Sequence, residues 1–400
     1  MASLSERSEQ KRYEKLKKRT KVIRRLTVLV SAVAVIGFVI FYLCFQLNRT
    51  YSDVTTVTET ERVDGNSVEY RNHNGNLLKY SKDGASEITA SGEILWNGSY
   101  EFKNPYAVTC GDYVAIADIG SKQLVVFNGK DDGTELKVNA TIEQIAVARQ
   151  GVVAVVLEDD DEAQINIYNP YDATEQLIVS ISTSTDSDGY PVAIALSEDG
   201  QKLVTSYVNI TGGVISSSLN FYNFDNVGQN NVDRIVGSRS LGQEIIADIQ
   251  FINSNTVCAF AEDGCRLYTM NETPEDVAEI SVEQAIKSVC YNEFYVTLIL
   301  ENGNDVDNPC LVQVYNTKGK KVLEKAVDYE YENVEMGKKE ILFYSGSACH
   351  ILRVRGSEKL DCQFEEGIDY FFSSPNAGTY YVIDKESIHQ VKLTGRKKGR

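Results

Sequence analysis

The chain holds three histidines, His73, His350 and His389. An imidazole can act as a general base or ligate a metal, and either role needs partner groups at a set spacing. No such spacing occurs, and the sequence contains no HExxH, P-loop, GxSxG or GxGxxG pattern. Each histidine therefore reads as a strand or surface residue. A single tryptophan, Trp96, gives little support for a quinone cofactor capped by indole rings, and no vicinal cysteine pair is present. The acidic run 158–162 (EDDDE) has the chemistry of a calcium ligand set. It lacks the DxDxDG spacing that bends a loop around the ion, so a solvated hairpin tip fits it better. Asp186, Ser187, Asp188 and Gly189 read as a turn before Tyr190-Pro191. The reading thus names no catalytic, cofactor-binding or metal-ligating residue, and it expects no cofactor.

Eight cysteines are present. Cys44 lies in an apolar run near the N-terminus. The other seven, Cys110, Cys258, Cys265, Cys290, Cys310, Cys349 and Cys362, lie beyond it. Seven is odd, no CxxC occurs, and a large domain needs no staples. Most are read as buried free thiols acting as small hydrophobes. Cys349 and Cys362 are the pair to test for a bridge.

The elements that carry these residues are strands. Fully apolar segments recur: YVAIAD (113–118), VVAVVLE (152–158), KLVTSYV (202–208), TVCAFAE (256–262), FYVTLILE (294–301), EILFYS (340–345) and TYYVID (379–384). Each is followed by a polar turn and a partner, often ending in an aromatic and Asn, as in QLVVFN (123–128), QINIYN (164–169) and LVQVYN (311–316). More polar runs follow several partners, and a short run precedes each apolar strand. A four-strand unit repeating every ~40–50 residues is the pattern of a β-propeller blade. Stacked blades bury the second strand on both faces, so it loses the polar alternation of a half-exposed strand. A β-sandwich would alternate rather than grade from apolar to polar.

An eighth unit precedes these seven, over 68–99, and contains Trp96. The last unit lacks an outer strand. Residues 54–63 (VTTVTETERV) are β-branched, alternate, and are placed to supply it. The expectation is an all-β propeller of eight four-stranded blades, closed by this N-terminal strand, with seven blades as the alternative. A flexible stalk is the alternative for 54–63.

Residues 26–47 (LTVLVSAVAVIGFVIFYLCFQL) carry no charge. At 1.5 Å per residue, 22 residues span roughly 30 Å, a bilayer core. Residues 1–25 hold ten basic and three acidic residues, a net of +7. Arg49 is the sole basic residue in the dozen after the span. The positive-inside rule places the N-terminus in the cytoplasm and the remainder outside. A cleaved signal peptide would be shorter and end at small residues, whereas Cys44, Phe45, Gln46 and Leu47 are bulky. The expected organisation is a basic stub 1–25, a transmembrane helix 26–47, an extracytoplasmic propeller 48–395 and a basic tail 396–400. Beyond the stub the chain carries 30 basic and 54 acidic residues, a net of −24. So acidic a surface repels nucleic acid.

The runs LLKYSKDG (77–84), GEILWNGSYEF (92–102), CGDYVAIAD (110–118), RQGVVAVVLED (149–159), GYPVAIALSEDGQKLVTSY (189–207) and NFYNFDNVGQNNVD (220–233) resemble an uncharacterised family. Its members are single-pass, extracytoplasmic propeller proteins of anaerobic Gram-positive bacteria, sharing a domain of unknown function. The resemblance covers nearly the whole chain and implies no activity. The blades are also similar, at fold level, to quinoprotein-like propellers and to the outer-membrane assembly scaffold that shares them. A bacterial resemblance makes the five Asn-x-Ser/Thr sequons (Asn48, Asn97, Asn139, Asn209, Asn271) chance occurrences. The functional expectation is a membrane-tethered binding or scaffold module for a protein or cell-envelope polymer. The alternative is an extracytoplasmic lyase, glycosidase or cofactor-dependent dehydrogenase, which would need polar groups converging at the propeller axis.

Overall fold

A computed structural model describes residues 4–395 apart from 66, 90, 131, 160–161, 185–187, 304, 365–366 and 377. The tail 396–400, the middle of the acidic run and most of the turn before Tyr190 lie outside the described residues. The chain divides into two compact units, Met1–Thr50 and Tyr51–Arg400.

The first unit is one continuous helix, Leu4–Leu47. It joins the basic stub and the apolar run without a break, because straight-chain Lys, Arg and Glu are as good helix formers as the Leu that follows. By length and composition it suffices to cross a membrane.

The second unit is eight antiparallel four-stranded sheets. Blades 1 to 7 are contiguous in sequence, over 69–99, 105–137, 141–184, 190–242, 246–281, 286–327 and 333–363. Blade 8 takes three strands from 370–394 and its outer strand, Asp53–Glu61, from the N-terminal end. Eight blades and closure by the N-terminal strand are therefore what the chain forms; seven blades and a free stalk are excluded. The pairing runs from Asp53↔Thr394 to Glu61↔Ser387, with a bulge between Thr56 and Thr58. Closure removes the open edge that blade 8 would otherwise show.

Burial grades outward as the repeat predicts. Second strands Thr256–Ala261 and Thr379–Ile383 are buried at every residue. Outer strands such as Ile235–Gly242 and Lys321–Val327 are mostly exposed or half-buried. The outer strands of blades 4 and 5, Ile235–Gly242 and Pro274–Ser281, carry no apolar run, which is why sequence pattern does not single them out.

The aromatic-Asn signature has a local cause. Tyr168, Tyr222 and Tyr315, each followed by Asn, sit just past a bulge between the third and outer strands. The following turns use the asparagine: Asn128, Asn169, Asn223 and Asn316 accept at Oδ1 from the amide of Lys130, Tyr171, Asp225 and Lys318, at 2.9–3.1 Å. Such an Asx-turn reverses the chain with a side-chain acceptor, and at Asn169 and Asn316 the backbone carbonyl accepts as well, from Asp172 and Gly319. Trp96 stacks on Phe127 of the next blade at 4.6 Å, and its indole N–H donates to Glu87 at 2.7 Å.

All seven cysteines beyond Cys44 are free, and all but Cys110 are buried. Cys349 and Cys362 face each other across the third and outer strands of blade 7 as two thiols. Burial first, then the neighbouring Cys362, pushes the Cys349 thiol well up, so it behaves as an apolar filler.

Candidate functional site

The first strand of each blade borders the axis: Glu69–His73, Pro105–Cys110, Thr141–Val147, Tyr190–Leu196, Ile246–Phe251, Ile286–Tyr291, Asn333–Met336 and Tyr370–Ser373. These eight strands are not alike. In blades 3, 4, 5 and 6 the register against the second strand slips near its start, leaving Glu143, Val192, Ala247 and Lys287 unopposed. Blades 1, 2, 7 and 8 pair there without a slip. A bulge bends its strand and re-aims the side chain. Glu143, Val192 and Ala247 all line a cavity of about 670 Å³ along the first strands of blades 2 to 5. Tyr106, Gln144, Glu198, Asp248, Gln250 and Phe251 are also on its wall.

The charges at this axis are unbalanced. The eight first strands carry Glu69, Glu143, Asp248 and Glu335 against Arg71 and Lys287. Lys287 is turned toward Cys310 Sγ (3.7 Å) and the Tyr331 ring. Arg71 Nη1 donates to the Ala107 carbonyl at 2.8 Å, and its guanidinium lies 5.6 Å from the Tyr106 ring centre. Asp248 accepts from the Ile249 amide at 2.8 Å and from Gln250 Nε2 at 3.0 and 3.1 Å, but forms no ion pair among the described residues. Burial pushes its carboxyl above the usual range, and those donors only partly offset it. Glu335 is open to solvent, yet protein encloses it closely enough that burial raises its carboxyl, with Arg71 as the sole opposing charge. Burial and then the charge of Glu158 raise Glu143. The phenol of Tyr291 is raised by burial, then by Asp248 and Tyr106, so these groups share one electrostatic neighbourhood.

A second cavity, of about 1250 Å³, opens between blades 7, 8 and 1. Its wall includes Glu59, Glu69, Glu332, Asp369, Asp384 and Glu386, against Arg62, Lys385 and His389. Arg62 is already committed. Its Nε donates to Asp64 at 2.9 Å, and its Nη1 donates to Asp369 at 3.1 Å and to the Asp384 carbonyl. Asp64 also takes Lys79 Nζ at 2.7 Å and the Tyr70 hydroxyl. Burial would raise Asp64, but hydrogen bonds from Lys79, Tyr70 and Arg62 hold it below the usual carboxylate range. This cluster joins blade 8 to blade 1 directly after the closing strand.

The three histidines fall on strands of blades 1, 7 and 8, each beside a carboxylate: His73 by Glu87, His350 by Asp361, His389 by Asp384. The structure does not bring them together. His350, Glu358 and Asp361 offer three ligand atoms within 4.8 Å of one another, the one such group among the described residues. Tyr329 ties that group into the blade, stacking on His350 at 4.3 Å and donating to Glu358 at 3.2 Å. Sequence reading missed the axial set because each first strand contributes one or two residues from a different blade. Their one sequence signal is a charge inside an otherwise apolar short strand, as in IADIQF.

Residues 47–393 match a family described as "Family of unknown function (DUF5711)". The chain belongs to this family. Among curated proteins, none matches the chain in sequence. Solved structures share the fold. BamB from Moraxella catarrhalis is 11% identical, covering 87% of this chain and 100% of its own, at a TM-score of 0.49. Chaetomium thermophilum Sqt1 is 11% identical, covering 86% and 98%, at 0.53. The same protein bound to the N-terminus of ribosomal protein L10 is 12% identical, covering 86% and 100%, at 0.52. At such identities the likeness is one of fold alone.

Proposed function

We propose that this protein is a membrane-anchored binding module whose propeller lies outside the cytoplasm and holds a protein or cell-envelope polymer. The axial cavity is the observation that carries the reading. A closed ring of eight blades holds Glu143 and Asp248, without an ion pair among the described residues, around one cavity, the arrangement of a preformed recognition site. Sqt1, of like fold, is bound to the N-terminus of another protein, which supports such use of a propeller. The anchor reading rests on the helix Leu4–Leu47, and the orientation on its basic N-terminal half.

Two experiments test it. Affinity capture from detergent-solubilised cells is expected to return a reproducible partner, and a stoichiometric substrate or cofactor instead would overturn the reading. A membrane-impermeant thiol reagent on intact cells is expected to label Ser52→Cys and miss Ser5→Cys; the reverse pattern overturns the orientation. A second reading, an enzyme at the axis, is favoured by one observation. Asp248 and Glu335 are carboxyls held above the usual range, as general acids are. Glycan turnover lost in Asp248→Asn would establish it.

A further inference from the structure

The carboxylates at the axis differ from those elsewhere in the propeller. Several acids away from it have a cationic or imidazole partner. Asp64 has Lys79 and Arg62, Asp199 has Lys202, Glu244 has Arg266, and Glu340 has Lys359. Glu87 and Asp384 have His73 and His389. Asp118, fully buried, is satisfied by two backbone amides, from Lys103 and Asn104. Glu143, Asp248 and Glu335 form no ion pair among the described residues, although burial makes each carboxylate costly. Glu143 and Asp248 line one cavity, and no Lys, Arg or His is among its lining residues.

The cavity wall has a second property. Val192, Ala247 and Phe251 give it apolar surface, and the Tyr106 ring is 45% exposed. Apolar walls ending in carboxylates match a long side chain with a methylene stem and a cationic head. Aromatic faces add attraction for that head. A hydrated metal ion would find no use for the apolar wall, and an anion would meet the acid excess. The wider cavity beside blades 7, 8 and 1 carries the same acid excess.

We infer that the axial cavity binds a lysine or arginine side chain presented by an extended basic segment of a partner protein, with Glu143 and Asp248 taking its charge. This rests on the binding-module reading and names the partner chemistry. The bulges at Glu143, Val192 and Ala247 open the room for the stem, and Gln144 and Gln250 border the site. Gln250 holds the Asp248 carboxylate in place by donating to both oxygens.

The test uses the full chain in detergent micelles with a fluorescein-labelled pentalysine peptide, and a Gly-Ser peptide of equal length as comparator. Binding is read by anisotropy. Asp248→Asn with Glu143→Gln is expected to weaken pentalysine binding about tenfold or more. Asp276→Asn with Glu279→Gln removes the same charge from the outer groove between blades 4 and 5, where Arg239 and Arg266 neutralise it. That pair is expected to stay within about twofold of the parent, as for exposed, screened charges. Equal weakening by both pairs overturns the inference, since attraction would then be diffuse. So does pentalysine binding no better than the Gly-Ser peptide. Independently of any variant, a photoreactive lysine peptide is expected to cross-link to Tyr106 or Phe251; cross-links confined to the outer strands overturn the inference. A captured partner that still binds the axial pair would sink this inference and leave the binding-module reading standing. Turnover of a substrate would sink that reading itself.

Discussion

The seam that closes the ring and the axis that the ring surrounds treat buried charge in opposite ways. At the seam, Arg62 and Asp64 are nearly solvent-free, with side chains 4% and 8% exposed, and their charges are matched within one network. At the axis, Asp248 and Glu335 keep raised carboxyls with no ion pair among the described residues. A matched buried network fixes geometry, and removing one member leaves the others uncompensated. An unmatched group costs stability and keeps its charge for something else. The difference teaches where this molecule spends its electrostatics on the fold and where it does not.

Removing the seam has the largest expected effect. A chain beginning at Gly65 lacks Asp53–Glu61 and Arg62, so blade 8 shows an open edge and loses its link to blade 1. Thermal unfolding is expected to fall far below that of a chain beginning at Arg49, with aggregation at the exposed edge. Equal melting temperatures would show that the closing strand adds nothing.

Arg62→Ala comes next. It leaves Asp64 with Lys79 and Tyr70, removes the ion pair to half-exposed Asp369 and frees the Asp384 carbonyl, for a loss of about 1–3 kcal/mol by urea unfolding. A loss below about 1 kcal/mol would mean that the network rearranges and the seam is held by strand pairing alone.

Acid titration separates the two regions by sign. Asp64 is lowered in the fold, so its stabilisation is present above the ordinary carboxylate range and is lost as pH falls through its lower folded value. Asp64→Asn should therefore flatten the acid limb of the stability profile. Asp248 is raised, so its cost is present at neutral pH and is relieved as pH falls through its folded value toward the ordinary one. Asp248→Asn should remove that relief. Identical acid limbs for the two variants would erase the contrast drawn here.

The smallest effect is the gain at neutral pH from Asp248→Asn. The amide keeps the shape and drops the unpaired charge, for a gain on the order of 0.5–1 kcal/mol in urea unfolding. A clear loss would show that Asp248 is a structural acid like Asp118, which is held by backbone amides.

Sequence alone determined the parts of this protein that follow from local chemistry repeated along the chain. Apolar second strands, such as TVCAFA and TYYVI, are legible because burial on both faces forbids alternation. The aromatic-Asn ends are legible because a bulge and an Asx-turn need those residue types. The run 26–47 is legible because nothing else requires 22 residues without charge. The closing strand is legible by subtraction, since seven blades own four strands and the last owns three. Only the tertiary structure decided the axial cavity and the seam. Glu143 and Asp248 are separated by 105 residues, and each is the one charged residue in its strand. A slip of one residue, at Glu143 or Ala247, leaves no mark on hydrophobic pattern yet turns a side chain toward the axis. Arg62 and Asp369 lie 307 residues apart and meet because the ring closes. Ring closure is a property of eight blades packed together, and pairings that exist only across it cannot be read from any one of them.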